Sequence, residues 1–204
     1  KKKARAVGHA ATFDIDALLS GDADNNRWPL AQTFKIGGED VTVIVNHFKS
    51  KGSSCTDTAG PGFALGEDGY TSLTGNCDLT RQYAASRLLE WADNGATNKK
   101  TSNVLLVGDF NSYEEEAPIE VFVSAGYTDL VERDGDDAST YKFSGRLGRL
   151  DYIFASSSLA GDVTDAAVWQ INSPAPVGSL YYNDPIDDTA HASSDHDPVV
   201  ISLG

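Results

Sequence analysis

The stretch VLLVGDFN, Val104–Asn111, carries the strongest indication of the fold. Its first four residues are apolar and partly β-branched, which predicts a buried β-strand that ends near Gly108. Asp109 and Asn111 alternate about Phe110, so in an extended chain both polar side chains point one way while Phe110 points into the core. A carboxylate and an amide on one face can ligate a hard cation or orient a phosphate. The alternative is an ordinary turn, because Gly, Asp and Asn are turn formers.

Three other segments repeat this form, with polar residues at the end of an apolar run. They are VIVNH (Val43–His47), LDYIF (Leu150–Phe154) and SDHDPVVISL (Ser194–Leu203). A single histidine at a strand end is most often only a hydrogen-bonding residue, but four such segments in one chain are hard to explain by packing alone. Asp151 lies inside a predicted strand, where burial without a partner is costly. We expect His196 to be that partner, and a carboxylate beside an imidazole can hold a divalent metal and activate a water.

The rest of the pattern predicts a mixed α/β (α+β) domain, because strands alternate with two helices. No internal repeat or linker divides the 204 residues, so residues 1–204 are expected to belong to one domain. The predicted helices are Leu79–Ala92 and Ala117–Ser124; the predicted strands are Val41–Phe48, Val104–Val107, Tyr141–Phe143, Leu150–Phe154, Val163–Ile171 and Pro198–Leu203; a long loop is predicted over Asn172–Thr189.

The net charge of −14 argues against binding of a polyanion through the bulk field of the protein. A polyanionic substrate remains compatible, because a bound divalent cation inverts the sign of the charge locally. Arg27, Lys49 and Arg149 flank the polar segments, and we predict that they contact phosphates. Solvent-exposed, solubilising charge is the alternative for each of them. No apolar run approaches the ~18 residues of a membrane span, so no membrane-spanning segment is expected.

Two cysteines, Cys55 and Cys77, lie in a polar stretch, residues 52–78, that is too long for an ordinary connection. A disulfide would tie the ends of this stretch, and two free thiols are the alternative. We favour the disulfide, which indicates an oxidising compartment and therefore a secreted or otherwise extracytoplasmic protein. A zinc site is not expected from two cysteines without nearby histidines.

Together these segments resemble the endonuclease/exonuclease/phosphatase family, with its deoxyribonuclease-I-like fold, and within it the branch of secreted bacterial nucleases. The motifs are specific in combination and span nearly the whole chain. The resemblance implies a two-sheet α/β sandwich with the site at one rim. It also implies metal-dependent hydrolysis of phosphodiester bonds, with a nucleic acid, DNA or RNA, as the substrate. The motifs that carry it are Val45–Cys55, Gly75–Cys77, Gly108–Ser112, Gly148–Tyr152 and Ser194–Pro198.

The resemblance implies a role for each catalytic side chain. His196 is expected to be the general base that takes a proton from the attacking water, and Asp151 is expected to orient its ring. His47 is expected to stabilise developing charge or to protonate the leaving group. Asp109 and Asn111 are expected to position the phosphate, the water or a second metal ion.

The cofactor that the resemblance implies is a divalent cation. Asp195 is expected to reach this cation, with Asp109 and Asn111 as further ligands. Mg²⁺ or Mn²⁺ is the expected ion, with Ca²⁺ as an alternative.

The N-terminus departs from the family pattern. The family opens with strands that carry an Asn, a metal-binding Glu and a Glu that pairs with the first catalytic His, whereas Lys1–His9 resembles the segment after them. The fold is therefore expected to be incomplete at the N-terminus. We expect the isolated chain to bind Mg²⁺ weakly and to have little nuclease activity. We also expect it to associate with the missing N-terminal segment or with a second chain.

Two other functions stay open at this point. A phosphatase or lipid phosphodiesterase could use the same fold, but Ser144–Tyr152 differs from the motif of the family's inositol-phosphate phosphatases. A non-catalytic fragment or binding module is the other alternative. The full set of polar residues at the remaining site positions argues against it.

Overall fold

The computed structural model describes residues 3–21, 26–135, 139–173 and 193–204. Within these residues no helix has the length and apolarity needed to cross a bilayer. The strands are β1 (Arg5–Thr12), β2 (Leu30–Ile36), β3 (Glu39–His47), β4 (Val104–Asp109), β5 (Thr128–Asp129), β6 (Tyr141–Phe143), β7 (Arg146–Gly148), β8 (Asp151–Ala155), β9 (Val163–Val168) and β10 (Val199–Leu203), and the α-helices are α1 (Asp78–Asp93), α2 (Ala117–Ser124) and α3 (Leu130–Arg133).

The main sheet has six strands in the order β1-β2-β3-β4-β8-β5, and two small sheets pair β9 with β10 and β6 with β7. β3 and β4 run parallel, whereas β4 and β8 run antiparallel. Parallel neighbours need a crossover connection, and α1 lies in the connection between β3 and β4. The ends of β3 and β4 and the beginning of β8 therefore meet at one edge of the sheet.

Alternate residues of the central strands face two separate apolar clusters. On one face Ile44 and Leu106 pack with residues of α1 and α2. On the other face Leu105 and Ile153 pack with residues of α3 and of the β9–β10 sheet. Each fully buried Leu or Ile stabilises such a core by ~1.5–3 kcal/mol relative to exposure. The layers on both faces confirm the predicted α/β sandwich of deoxyribonuclease-I type.

The edge strands are the elements that the sequence pattern does not reveal. β1 is mostly exposed and lacks an apolar alternation, so its extended shape depends on backbone pairing with β2. The predicted strand Val163–Ile171 ends earlier, at Val168. Most of the predicted loop Asn172–Thr189 lies outside the described residues.

A disulfide and a buried arginine anchor the polar stretch between β3 and α1. Cys55 and Cys77 are bonded, with their Cα atoms 5.3 Å apart, which confirms the predicted disulfide. Arg81 of α1 is fully buried. Its guanidinium donates hydrogen bonds to three backbone carbonyls, those of Lys49 (3.3 Å), Thr74 (3.1 Å) and Asn76 (2.7 Å). These bonds hold both ends of the stretch against the helix.

We expect the disulfide to stabilise the fold mainly by restricting the unfolded chain. For the loop closed by Cys55 and Cys77, which are 22 residues apart, the chain-entropy relation gives ~3 kcal/mol of unfolding free energy. Urea denaturation of the Cys55→Ser/Cys77→Ser variant, compared with the wild type, measures this loss. Mass spectrometry of the unreduced protein should show the linked peptide, and two alkylatable thiols in the native protein would contradict it.

Candidate active site

Strand register brings three polar side chains together at one edge of the main sheet. His47, the last residue of β3, pairs with Asp109, the last residue of β4. Asp109 in turn pairs with Asp151, the first residue of β8. Paired residues project from the same face of a sheet, and here that face also bears the apolar cluster of Leu105 and Ile153. Three of the segments that the sequence singles out thus converge.

His196 joins this edge from the segment that leads into β10. Its Nδ1 lies 2.7 Å from Oδ2 of Asp151, as the sequence predicts. The His196 ring also packs on the ring of Tyr141, with the two centroids 4.6 Å apart. Side-chain ligand atoms of Asp109, Asp151 and His196 all lie within 4.8 Å of one another. We call these three residues the acid–histidine cluster.

The chain turns sharply around Asp109, which corrects the expectation of an extended Asp-Phe-Asn segment. Gly108 has a φ of 126°, and a Cβ there would lie 2.1 Å from the backbone oxygen of Asn46, so only glycine fits. Asn111 has a φ of 48°. Its backbone N–H and its amide donate to the two carboxylate oxygens of Asp109 at 2.8 Å and 3.0 Å. The turn and the polar site are therefore one feature, because turn hydrogen bonds fix the carboxylate.

The two neighbouring carboxylates repel each other. Burial, followed by the negative charge of Asp151, raises the pKa of Asp109 to about 6. The hydrogen bond from the backbone N–H of Asn111 opposes this rise but does not cancel it. A cation between the carboxylates would favour the ionised form that burial disfavours.

The pKa values of His196 and His47 shift in opposite directions. Burial lowers the pKa of His196, but the hydrogen bond and the charge of Asp151 outweigh burial, so the net shift is upward. Burial, the charge of Arg27 and the charge of His196 lower the pKa of His47. His196 is therefore the stronger proton acceptor, and His47 is the more readily neutral ring.

The donor set fits a divalent cation. Two carboxylates supply the hard oxygen ligands that Mg²⁺ and Mn²⁺ prefer. The predicted ligand set was Asp195, Asp109 and Asn111, whereas the structure groups Asp109 with Asp151 and His196. Asp195 lies outside this group, although its charge helps to raise the pKa of His196. The amide nitrogen of Asn111 is bonded to Asp109 and to the Phe48 carbonyl, which leaves its amide oxygen for a ligand.

Two of the three predicted phosphate-binding cations lie beside His47. The backbone N–H of Arg27 donates to the His47 carbonyl at 3.1 Å, and the Arg27 side chain is exposed. Lys49 is partly buried, with Nζ 2.5 Å from Oγ of Ser53. Burial and the charge of Arg27 lower the pKa of Lys49. These two cations form a local positive patch on an acidic protein.

Arg149 has a different environment from the one predicted for it. The side chain is buried, and its Nη1 donates to both carboxylate oxygens of Asp129 at 2.8 Å and 2.6 Å. Nη2 lies 3.3 Å from Glu114, and the guanidinium stacks over the ring of Tyr152. These carboxylates occupy the donors that a phosphate would need. The structure therefore places Arg149 in an internal ion pair instead of at a phosphate-binding surface.

The sequence profile of the Endonuclease/Exonuclease/phosphatase family matches residues 23–196, a span that includes every member of the acid–histidine cluster. The chain belongs to this family. No curated protein sequence matches it at a significant level.

Solved structures of the endonuclease/exonuclease/phosphatase fold are similar to the chain at low identity. A family protein from Bacteroides thetaiotaomicron is 19% identical with a TM-score of 0.58, over 97% of this chain and 62% of that one. A mannosyl-6-phosphatase from the same organism is 17% identical with a TM-score of 0.56, over 100% of this chain and 77% of that one. An AP endonuclease from Archaeoglobus fulgidus is 13% identical with a TM-score of 0.53, over 99% of this chain and 79% of that one. The chain thus spans less than two thirds of the first of these proteins.

A buried network that the sequence analysis missed holds the His196 segment of this family member. Asp197 is 2% exposed, and its carboxylate accepts hydrogen bonds from three consecutive backbone N–H groups and from a hydroxyl. Asn172 adds a bond from its amide nitrogen to the His196 carbonyl at 2.8 Å. The donors to Asp197 are the N–H groups of Ile171 (2.9 Å), Asn172 (2.6 Å) and Ser173 (3.2 Å) and the Ser173 hydroxyl (2.5 Å).

Thr140, which the sequence analysis also missed, connects the two halves of the Asp151–His196 pair. Its hydroxyl accepts from the backbone N–H groups of Leu150 and Asp151 at 3.0 Å and 3.2 Å. Its carbonyl accepts from the backbone N–H of Asp197 at 2.8 Å. One fully buried residue therefore bonds to the chain on both sides of the Asp151–His196 hydrogen bond.

A cavity of about 370 Å³ opens at the other end of β4 from the acid–histidine cluster. Val104, Tyr127 and Ser156 are among its lining residues. The polar groups singled out above therefore lie on the opposite rim of the sheet.

We expect Asp109 to make metal-free protein less stable as the pH rises. Its pKa is about 6 in the fold and ~3.9 in an unfolded chain, so the folded state binds more protons between these values. The protonated carboxyl of Asp109 therefore stabilises the fold fully below about pH 4, and this stabilisation is lost as the pH rises through about 6. The unfolding free energy of Asp109→Asn, relative to wild type, should therefore rise by about 2 kcal/mol between pH 4 and pH 7.

Urea denaturation at several pH values in EDTA measures this difference. Adding Mg²⁺ or Mn²⁺ should reduce the difference at pH 7, because a cation stabilises the ionised wild-type carboxylate. A difference that stays constant with pH would contradict the raised pKa of Asp109.

Proposed function

We propose that this chain is the catalytic part of a metal-dependent phosphodiesterase, and that the phosphodiester is DNA or RNA. The observation that carries the proposal is the hydrogen bond between Asp151 and His196 beside Asp109, at a rim that Arg27 flanks. Phosphoryl transfer depends mostly on positioning and on neutralisation of charge. This rim combines a proton acceptor, an orienting carboxylate and a local positive patch.

His196 is the proposed general base. Its Nδ1–H donates to Asp151, so Nε2 is the nitrogen that can accept a proton from an attacking water. Asp151 holds the ring in this tautomer and favours the imidazolium that forms. The packing of Tyr141 on the ring and the buried bonds of Asp197 limit its rotation and translation.

His47 and Arg27 are proposed to act on the phosphate. Their positive or hydrogen-bonding groups lie on the far side of Asp109 from His196, so a phosphate over Asp109 would contact both sides of the rim. Asn111 offers its amide oxygen or a bound water to the same position. A divalent cation, Mg²⁺ or Mn²⁺, held by Asp109 and Asp151 with Asp195 as a further ligand, would neutralise negative charge on the phosphate oxygens.

The Cys55–Cys77 disulfide supports an oxidising compartment for this activity. We therefore propose that the protein works outside the cytoplasm as a secreted nuclease. This localisation is inferred from the bond between Cys55 and Cys77 and from the resemblance to secreted bacterial nucleases.

A phosphatase is the second candidate function. The similar structure of a mannosyl-6-phosphatase covers the whole of this chain. A phosphomonoester has one small leaving group, whereas a nucleic acid presents phosphates and bases along a strand. Parallel assays with plasmid DNA, RNA and mannose 6-phosphate separate the two candidates.

We expect His196→Ala, in the protein of natural length, to lower the turnover of plasmid DNA by ~10²–10⁴-fold, because the variant lacks the general base. Asp151→Asn should cause a similar loss, since the ring then loses its orienting charge. Initial rates of cleavage with Mg²⁺ or Mn²⁺ measure the effect, and EDTA should abolish the activity.

His9→Ala is the matched control, because His9 is an exposed histidine on the edge strand β1. It should keep the wild-type rate, and circular dichroism should show intact folding for all variants. A folded His196→Ala variant with wild-type activity would refute the assignment of the base.

We expect Arg27 and Lys49 to determine the salt dependence of DNA binding. Each phosphate contact contributes about −0.9 to the slope of log K against log salt concentration. Arg27→Ala/Lys49→Ala, in a His196→Ala background without metal, should therefore reduce the steepness of this slope by about 2. Lys99→Ala/Lys100→Ala is the control, because this exposed pair precedes β4 at the other end of the sheet. Equal slopes for both double variants would count against phosphate contacts.

A further inference from the structure

A strip of side chains that become more exposed with distance from the His196 ring continues outward along the β6–β7 hairpin. Tyr141 packs on His196, and Phe143, two residues further along β6, stacks on Tyr141 with centroids 6.4 Å apart and ring planes 14° apart. Phe143 is 63% exposed. The three rings thus form a row that begins at the proposed general base and ends in solvent.

Hairpin register adds a cation to the same face. Phe143 pairs directly with Arg146 of β7, and paired residues project from one face of the sheet. Arg146 is exposed, and among the described residues no carboxylate lies within ion-pair distance of it. Tyr141 pairs with Gly148 of β7. We call Tyr141, Phe143 and Arg146 the hairpin strip.

We propose that the hairpin strip is a binding site for an unpaired nucleobase and its phosphate, so that the substrate is single-stranded nucleic acid. The proposal rests on the proposed nuclease function and deepens it. With a phosphate at His196, the neighbouring base would stack on Phe143, and the next phosphate would contact Arg146. Stacking on an aromatic ring requires a free base face, which a base inside a duplex does not offer.

The charge of the protein favours this mode of recognition. At a net charge of −14, the bulk field repels a polyanion. Affinity must then come from local contacts, and stacking is a contact that negative charge elsewhere on the protein does not weaken. Aromatic platforms with flanking cations are the usual means of holding single strands.

The test compares two ten-nucleotide ligands that differ only in their bases, a fluorescein-labelled single strand of thymidines and the same backbone with abasic spacers. Binding is measured by fluorescence anisotropy in EDTA, with the protein of natural length. Phe143→Ala should weaken binding of the thymidine strand about tenfold and should affect the abasic strand much less. Phe143→Trp should retain the wild-type affinity, and a 2-aminopurine base in the strand should be quenched by wild type but not by Phe143→Ala.

Val123→Ala is the control, because it truncates an exposed apolar residue on α2 and should leave both affinities unchanged. Arg146→Ala should weaken the binding of both strands, because both carry phosphates. Equal effects of Phe143→Ala on the two strands, or none, would overturn base stacking. Duplex DNA that binds as tightly as the single strand, with the same dependence on Phe143, would overturn the single-strand preference.

The activity assays distinguish failure of this inference from failure of the proposed function. DNA cleavage that depends on His196, combined with a binding constant insensitive to Phe143→Ala, would reject base binding by the hairpin strip. The proposed nuclease function would still stand. A protein that binds neither strand and hydrolyses only phosphomonoesters rejects both. Loss of self-association in Phe143→Ala, detected by sedimentation, would identify the strip as a protein interface and overturn the proposal.

Discussion

Two carboxylates, Asp109 and Asp151, are placed opposite each other by the pairing of β4 with β8, and the organisation of this rim depends on that constraint. The pairing fixes the two backbone positions, because Asp109 is the last residue of β4 and Asp151 is the first residue of β8. Burial then raises the pKa of Asp109 to about 6. The fold therefore retains an unfavourable concentration of negative charge, which a cation or an imidazolium at this rim would offset. Such stored electrostatic cost is typical of functional sites.

The surrounding structure stabilises this arrangement with bonds from several separate segments. The turn after β4 supplies two donors to Asp109, and the segment before β10 supplies His196 to Asp151. Buried bonds of Thr140 then hold the beginning of β8 to the segment before β10. Because Asp109, Asp151 and His196 are distant along the chain, the site depends on the pairing of β4 with β8. The disulfide and Arg81 extend the same principle to the long stretch after His47.

The location of the cations is consistent with the proposed action of an acidic protein on an acidic substrate. Arg27 and Lys49 lie beside His47, and Arg146 lies on the hairpin on the other side of His196. Arg149, in contrast, is neutralised inside the fold by Asp129 and Glu114. Positive charge is thus available on both flanks of the rim. A substrate that extends across the rim in both directions fits this distribution better than a small one.

The sequence alone determined the mixed α/β class, the central strands, α1 and α2, the disulfide and the pairing of Asp151 with His196. These features follow from local signals, since apolar runs specify buried strands and a carboxylate within such a run requires a partner. The edge strand β1 and its neighbour β2 could not be predicted in this way, because their extended shape depends on pairing with adjacent strands. The same limit applies to the charges: Arg149 and Arg27 look alike in sequence, and so do Asp195 and Asp197. Only the tertiary structure decided which member of each pair is buried, because burial depends on contacts between segments that are distant along the chain.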